Sequence, residues 1–115
     1  MHLPDTAVRL SIYTGESDKH GGRPLHEVIV EEARKQGLAG ATTLRAIMGF
    51  GANSRVHTSK ILRLSEDLPI VTIIVDKAER IEAFLPTLDG MVNEGLVVRE
   101  EVDVLVYRHN NGAKK

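Results

Sequence analysis

The chain has 115 residues, of which 42% are hydrophobic and 27% charged, and its formal net charge is -1. These values are typical of a small globular domain, and we expect residues 1–115 to form a single domain with its core at about 7–107 and a polar tail at 108–115. So balanced a charge disfavours nucleic-acid binding, and the absence of cysteine excludes disulfides and thiolate metal sites.

No stretch of the sequence predicts export or membrane insertion. Residues 1–6 are mostly polar and lack the apolar segment of a signal peptide. The longest apolar run, at 70–75, is far too short to cross a bilayer as a helix. We therefore expect a cytoplasmic protein.

The chain is predicted to start with a strand and a helix. Apolar residues alternate with others over 8–13, which predicts a half-buried strand with Arg9 and Ser11 on its wetter side. A glycine-rich connection follows, and Pro24 suits the first turn of an amphipathic helix. That helix is predicted to end at Gly37, because glycine readily adopts the left-handed conformation that follows a helix.

The middle of the chain contains a second strand and a long basic segment. Residues 41–50 alternate again and predict the strand. Residues 51–66 follow neither a helical nor a strand period, and they contain several cations before Glu66, which is their first carboxylate. A loop of this length is uncommon in so small a domain and is often functional.

The next elements are a buried strand and a second helix. The near-continuous apolar run at 69–75 predicts a strand buried on both faces, or on one face and a subunit contact. Asp76 is predicted to cap the helix, with Glu79 completing a capping box. We expect Pro86 to kink this helix and Gly95 to end it.

A fourth strand is predicted at 98–106, where valines alternate with charged residues. The element order is then β-α-β, a long loop, and β-α-β. Two such units predict an α+β, ferredoxin-like sandwich: one four-stranded antiparallel sheet with both helices on one face. The strands are more apolar than one covered face requires, so we expect self-association to cover the other face.

Three motifs support a resemblance to a known family. They are Y-T-G-E at 13–16, G-L-A-G-A-T-T-L-R-A-I-M-G-F-G at 37–51 and L-P-I-V at 68–71. With these motifs in this element order, the chain resembles a family of small, uncharacterised PII-like proteins of bacteria and archaea. The likeness spans roughly residues 8–106.

The resemblance implies a homotrimer in which three sheets pack around a central axis. It also implies ligand pockets in the clefts between subunits, where PII-type regulators bind adenine nucleotides, near the base of the 51–66 loop. That loop would contact a protein target, for which a membrane transporter is one candidate. The sequence departs from signalling PII proteins in two respects. The loop lacks the tyrosine that is uridylylated in many of them, and 93–98 does not match their phosphate-binding loop.

The second strand and the loop after it contain the candidate site for a small anionic ligand. Cationic side chains beside glycine backbone can hold a phosphate or carboxylate, because the glycines allow a close approach and the cations neutralise the charge. The predicted contacts are Arg45, Gly49, Gly51, Arg55 and Lys60. The alternative interpretation is a solvated basic arm whose glycines only shape the backbone.

Two other functions remain open. One is a metal-binding trimer of the metal-tolerance type, although no pair of histidines has H-x-x-x-H or H-E-x-x-H spacing. The histidines are His2, His20, His26, His57 and His109. The other is a purely structural interaction module. No nucleophile, base or carboxylate pair has the spacing of an active site, so we expect a protein that is not an enzyme.

Overall fold

The computed structural model of the protein describes residues 6–50 and 67–108. The elements are β1 (Thr6–Gly15), β2 (Lys19–His20), β3 (Arg23–Pro24), α1 (Leu25–Lys35), β4 (Thr42–Arg45), β5 (Pro69–Asp76), α2 (Ala78–Asp89) and β6 (Leu96–Asp103). Four of the strands form one antiparallel sheet in the order β4-β5-β1-β6, and β2 and β3 form a small separate hairpin. The predicted ferredoxin-like α+β fold is therefore confirmed. None of the helices in the described ranges is long and apolar enough to cross a membrane.

Both helices pack on one face of the sheet and form the core with it. In β1, the side chains of Val8, Leu10 and Ile12 point to this face and are at most 3% exposed. Ile74 lies opposite Leu10 on β5 and is fully buried. Phe84 of α2 is also fully buried in the same cluster. The alternation of β1 thus selects one apolar stripe, and the apolar stripes of the two helices cover it.

The other side of the sheet, which we call the open face, is also largely apolar. Alternate residues of each strand share this face, as the strand register requires. Its side chains are those of Ala7, Arg9, Ser11, Tyr13, Thr42, Leu44, Val71, Ile73, Val75, Leu96, Val98, Glu100 and Val102. β5 is buried on its helix-covered side and only half-buried on the open face, so burial on both faces is not seen within the chain and the predicted alternative, a subunit contact, stays a prediction. Arg9 and Ser11 lie on this side of β1, as predicted, although Ser11 itself is only 7% exposed because Ile73 and Val98 flank it.

Asp76 has a different role from the predicted helix cap. It is the last residue of β5, and Lys77 occupies the position before α2 without a side-chain cap. The Asp76 carboxylate is fully buried and accepts hydrogen bonds from the backbone N–H groups of Ala39 (2.8 Å) and Lys77 (2.7 Å). It therefore ties the connection after α1 to the end of β5, and the predicted capping box with Glu79 does not form.

Several predicted boundaries shift. α1 ends as predicted, with Gly37 in a left-handed conformation (φ 76°). Pro24, however, lies just before the helix rather than in its first turn. α2 contains Pro86 but ends at Asp89, with Gly90 at its C-cap, and not at Gly95. β6 runs over Leu96–Asp103, so it starts and stops earlier than the valine pattern predicted.

Gly95 positions the edge strand β6 against β1. Its φ is 152°, and a Cβ atom placed on it would lie 2.5 Å from the backbone oxygen of Tyr13. Tyr13 is the partner of Leu96, the first residue of β6. A side chain at Gly95 would therefore push the start of β6 away from the sheet.

Candidate functional site

The candidate site lies at the end of the sheet where β1 and β4 finish and β5 begins. Gly15 pairs with Pro69 and Arg45 pairs with Ile70, so the two strand ends flank the start of β5. β4 is shorter than the predicted strand at 41–50, because regular pairing stops after Arg45. One further hydrogen bond, from the backbone N–H of Ala46 to the oxygen of Pro69 (2.9 Å), holds the residue after β4 beside the start of β5.

Arg45 is placed at this end of the sheet and is engaged by a carboxylate. Its Nε lies 2.9 Å from Oε2 of Glu16, and its Nη2 donates to Oε1 of the same side chain at 3.4 Å. The Arg45 side chain is 56% exposed and that of Glu16 is 32% exposed. The guanidinium is therefore accessible to a ligand, but an anion that binds it must compete with Glu16.

The turn at 15–18, which contains Glu16, is held by two further carboxylates. Asp18 accepts a hydrogen bond from the backbone N–H of Gly15 (2.9 Å), and Asp67 accepts one from that of Ser17 (3.0 Å). The backbone N–H of Glu16 also donates to the oxygen of Leu68 (2.9 Å). The turn therefore contacts the residues just before β5 through both backbone and side chains.

The described part of the candidate site is acidic rather than basic. Glu16 pairs with Arg45, and two more carboxylates, those of Asp18 and Asp67, bond the backbone of the turn that contains Glu16. An anion that binds at Arg45 must therefore displace Glu16, or be held in addition by cations outside the described residues.

Of the predicted contact residues, Arg45 and Gly49 are described, whereas Gly51, Arg55 and Lys60 lie outside the described residues. Gly49 adopts φ 153°, and a Cβ atom on it would lie 3.0 Å from Cγ of Pro69. The backbone of Gly49 thus passes close to the first residue of β5. Gly49 therefore has a role in packing against Pro69. This role does not conflict with the predicted approach of a ligand.

The β2–β3 hairpin was missed in the sequence. Gly21 and Gly22 form its turn with φ values of 61° and 80°, a pair of left-handed residues that suits a two-residue hairpin turn. The Gly-Gly pair between short polar segments was the available signal. Arg23 then joins the hairpin to α1, since its Nη1 and Nη2 donate to Glu31 at 2.8 and 2.5 Å. This hydrogen bond holds the pKa of the Glu31 carboxyl below its ordinary value.

A second concave surface lies between α2 and β6, at the opposite edge of the sheet from β4. It is a groove of about 590 Å³ whose walls include Leu85, Pro86, Val92 and Val97, with Glu82 and Asp89 among its polar residues.

The described residues hold no group of three or more His, Asp or Glu side chains that could bind a metal ion. His20 lies in the hairpin and His26 in α1, where the Nδ1 atom of His26 is buried without a partner among the described residues. His2, His57 and His109 lie outside the described residues. The described part of the chain therefore gives the metal-binding interpretation no support.

Comparison with known proteins relates the chain to uncharacterised families. The model of the DUF190 family, described as Uncharacterized ACR, matches residues 7–104. A UPF0166 protein of Aquifex aeolicus (strain VF5) is 38% identical over 96 residues, which cover 84% of this chain and 90% of the relative. A UPF0166 protein of Methanocaldococcus jannaschii is 36% identical over 90 residues, which cover 77% of this chain and 82% of the relative.

Among solved structures, the chain is similar to a proposed PII-like signaling protein from Thermus thermophilus. The two share a TM-score of 0.55 and 21% identity, with coverage of 95% of this chain and 94% of that one. At this identity the similarity concerns the fold, which is the PII-like form of the ferredoxin-like sandwich.

Proposed function

Because the chain belongs to the DUF190 family and has a PII-like fold, we propose that it is a homotrimeric regulator that binds a small anionic ligand in clefts between subunits. The names of the relatives assign no enzymatic activity to them. In this proposal the protein acts in the cytoplasm and is not an enzyme. Residues 1–115 act as one domain.

The observation that carries this proposal is the open face. Tyr13, Leu44 and Leu96 on this face remain 43–56% exposed, and Ile73 and Val75 are only half-buried. A contiguous apolar surface of this kind on a small chain marks an interaction site. A second and third copy would cover it by packing their own open faces against it around a central axis.

The proposed ligand contacts are Arg45, Gly49, Gly51, Arg55 and Lys60, with an adenine nucleotide as the first ligand to test. Arg45 supports this proposal most directly, since its guanidinium is more than half exposed at the sheet end. A phosphate can accept two parallel hydrogen bonds from a guanidinium. In the free protein those donors are directed at Glu16, so the ligand would replace the carboxylate on Arg45.

A protein target is the remaining part of the proposal. We propose that the 51–66 loop contacts it, and that a membrane transporter is the first class of target to examine. Arg45 is the last residue of β4, the strand that precedes this loop in the sequence. In this proposal, ligand binding at Arg45 therefore affects the loop through the chain that connects them.

Native mass spectrometry of gently purified protein tests the assembly and the ligand together. We expect a trimer, with an added mass where a ligand is retained. Isothermal titration with ATP, ADP, AMP and cyclic AMP then measures binding. A monomer at all concentrations would refute the trimer, no heat with any nucleotide would refute the nucleotide, and metal-sized added masses would favour the metal-binding interpretation.

Two substitutions test the role of Arg45. Arg45→Ala removes a charged donor and should weaken nucleotide binding by about 10- to 100-fold. Glu16→Gln frees the guanidinium from an exposed ion pair and should strengthen binding by about two- to five-fold. Arg23→Ala, which breaks an ion pair on the hairpin, is the control and should leave binding unchanged. Equal affinities in all variants would exclude Arg45 from the site.

A further inference from the structure

The open face contains a single ion pair among the described residues. Nη2 of Arg9 on β1 donates to Oε2 of Glu100 on β6 at 2.9 Å, and the two residues are register partners. Their side chains are 42% and 52% exposed. All other open-face side chains within the described ranges are uncharged.

Apolar residues surround this pair. Val75 lies beside Arg9 on the β5 side, and Val98 and Val102 are the neighbours of Glu100 on the same face of β6. A surface that covers these valines must therefore also cover the charges. Covering the pair removes the water that now solvates its exposed half.

The pair is incompletely satisfied by its own chain. An arginine side chain has five N–H donors and a carboxylate has about four acceptor sites, whereas the contact within the chain uses one donor and one oxygen. A purely apolar partner would leave the remaining groups buried without hydrogen bonds, which is strongly unfavourable. The partner on this face must therefore offer both an acceptor for Arg9 and a donor for Glu100.

A second copy of the chain offers both groups. The open face carries one positive and one negative side chain, so it is neutral and electrostatically complementary to itself. We propose that Arg9 of one copy bonds Glu100 of the neighbouring copy, in addition to its own, so that the open faces associate around a shared charge network. This inference rests on the self-association proposed above and names the residues that make it selective.

Charge-reversed variants distinguish contacts between copies from contacts within one copy. Arg9→Glu gives a chain with two carboxylates at this place, and Glu100→Arg gives a chain with two guanidinium groups. Each alone should associate at least 100-fold more weakly than the wild type, because like charges face each other and partners are lost. Mixing the two should restore mixed assemblies in part, since two of the three contacts in a mixed trimer join unlike chains and only the third joins like chains.

The measurements are sedimentation velocity for the association constant and native mass spectrometry for the composition of the mixed species. The double variant Arg9→Glu/Glu100→Arg preserves both charges and should assemble to within about ten-fold of the wild type. Matched controls are Arg23→Glu and Glu31→Arg, which reverse the hairpin ion pair and should leave assembly unchanged. Circular dichroism confirms that every variant is folded.

Each outcome decides a separate point. Rescue by mixing supports the network between copies. If the wild type assembles and mixing does not rescue the single variants, the pair acts only within one chain and the inference fails, while the trimer stands. If the single variants assemble as tightly as the wild type, the inference also fails. A monomeric wild type would overturn both the inference and the proposed trimer.

Discussion

The two faces of the sheet are built from the same strands but are buried in different ways. On the helix-covered face, Leu10, Ile12 and Ile74 are at most 1% exposed. On the open face, Val98 remains 38% exposed. β6 points Val97 and Arg99 toward the helix side, where Arg99 bonds Glu82 of α2, and its open-face residues are Leu96, Val98, Glu100 and Val102. The chain therefore completes one face alone and leaves the other partly exposed.

The largest expected effect on chain stability comes from the covered face. Phe84→Ala empties a fully buried site and should lower the free energy of unfolding by about 3–5 kcal/mol. Tyr13→Ala is the matched aromatic change on the open face and should lower it by only about 1–2 kcal/mol, since Tyr13 is 43% exposed. Urea unfolding of dilute, monomeric protein measures both, and equal losses would contradict the distinction between the faces.

The next effect concerns the fully buried carboxylate of Asp76 on the covered face. Asp76→Ala leaves the backbone N–H groups of Ala39 and Lys77 without their acceptor. It should lower the free energy of unfolding by about 1–3 kcal/mol for each N–H group that loses its hydrogen bond. Hydrogen exchange at Ala39 should accelerate as the connection after α1 loosens. Asp18→Ala is the control, since that carboxylate accepts a backbone hydrogen bond from Gly15 in a less buried place. An unchanged exchange rate at Ala39 would show that Asp76 does not hold this connection.

The fold could be predicted because its strands carry strong periodic signals. The alternation in β1 and the apolar run in β5 each required a strand, and Gly37 ended α1 as expected. Periodicity does not say which face a strand presents to the helices. The valines of β6 fit either face, and only pairing with β1 places Val98 beside Ser11 on the open face.

The site was less predictable because its contacts join distant parts of the chain. Arg45 was identified from its place in a motif, but its partner Glu16 lies on another connection and has no sequence signal that couples the two. Asp67, just before β5, was not singled out in the sequence, yet it accepts a hydrogen bond from Ser17 in the turn at 15–18. Asp76 had the spacing of a helix cap. Its carboxylate instead accepts a hydrogen bond from the backbone N–H of Ala39, which is distant in the sequence.

Substitution of two neighbouring valines of β6 should have a smaller effect on chain stability. Only one of the two substitutions should have a large effect on assembly. Val97 and Val98 are neighbours with 39% and 38% exposure, but they point to opposite faces. Each change to Glu should alter the stability of the monomer by about 1 kcal/mol or less. Val98→Glu should abolish assembly in sedimentation velocity, whereas Val97→Glu should leave it intact. Loss of assembly in both variants would mean that the edge of β6, rather than the open face, makes the contact.

The smallest effect is expected where neither face is involved, at the exposed Arg23–Glu31 pair between the hairpin and α1. The hydrogen bond from Arg23 lowers the folded-state pKa of Glu31 below its unfolded value, so the pair stabilises the fold at neutral pH and loses this contribution as the pH falls through the folded pKa. Glu31→Gln should therefore lower the melting temperature slightly at pH 7 and not at strongly acidic pH. Arg23→Gln should show the same pH dependence with a slightly larger loss, because Arg23 also pairs with Glu27 at 3.8 Å, and the double variant should add nothing to Arg23→Gln. A difference that persists in acid would instead assign the effect to side-chain packing at the hairpin, because packing does not depend on the charge of Glu31.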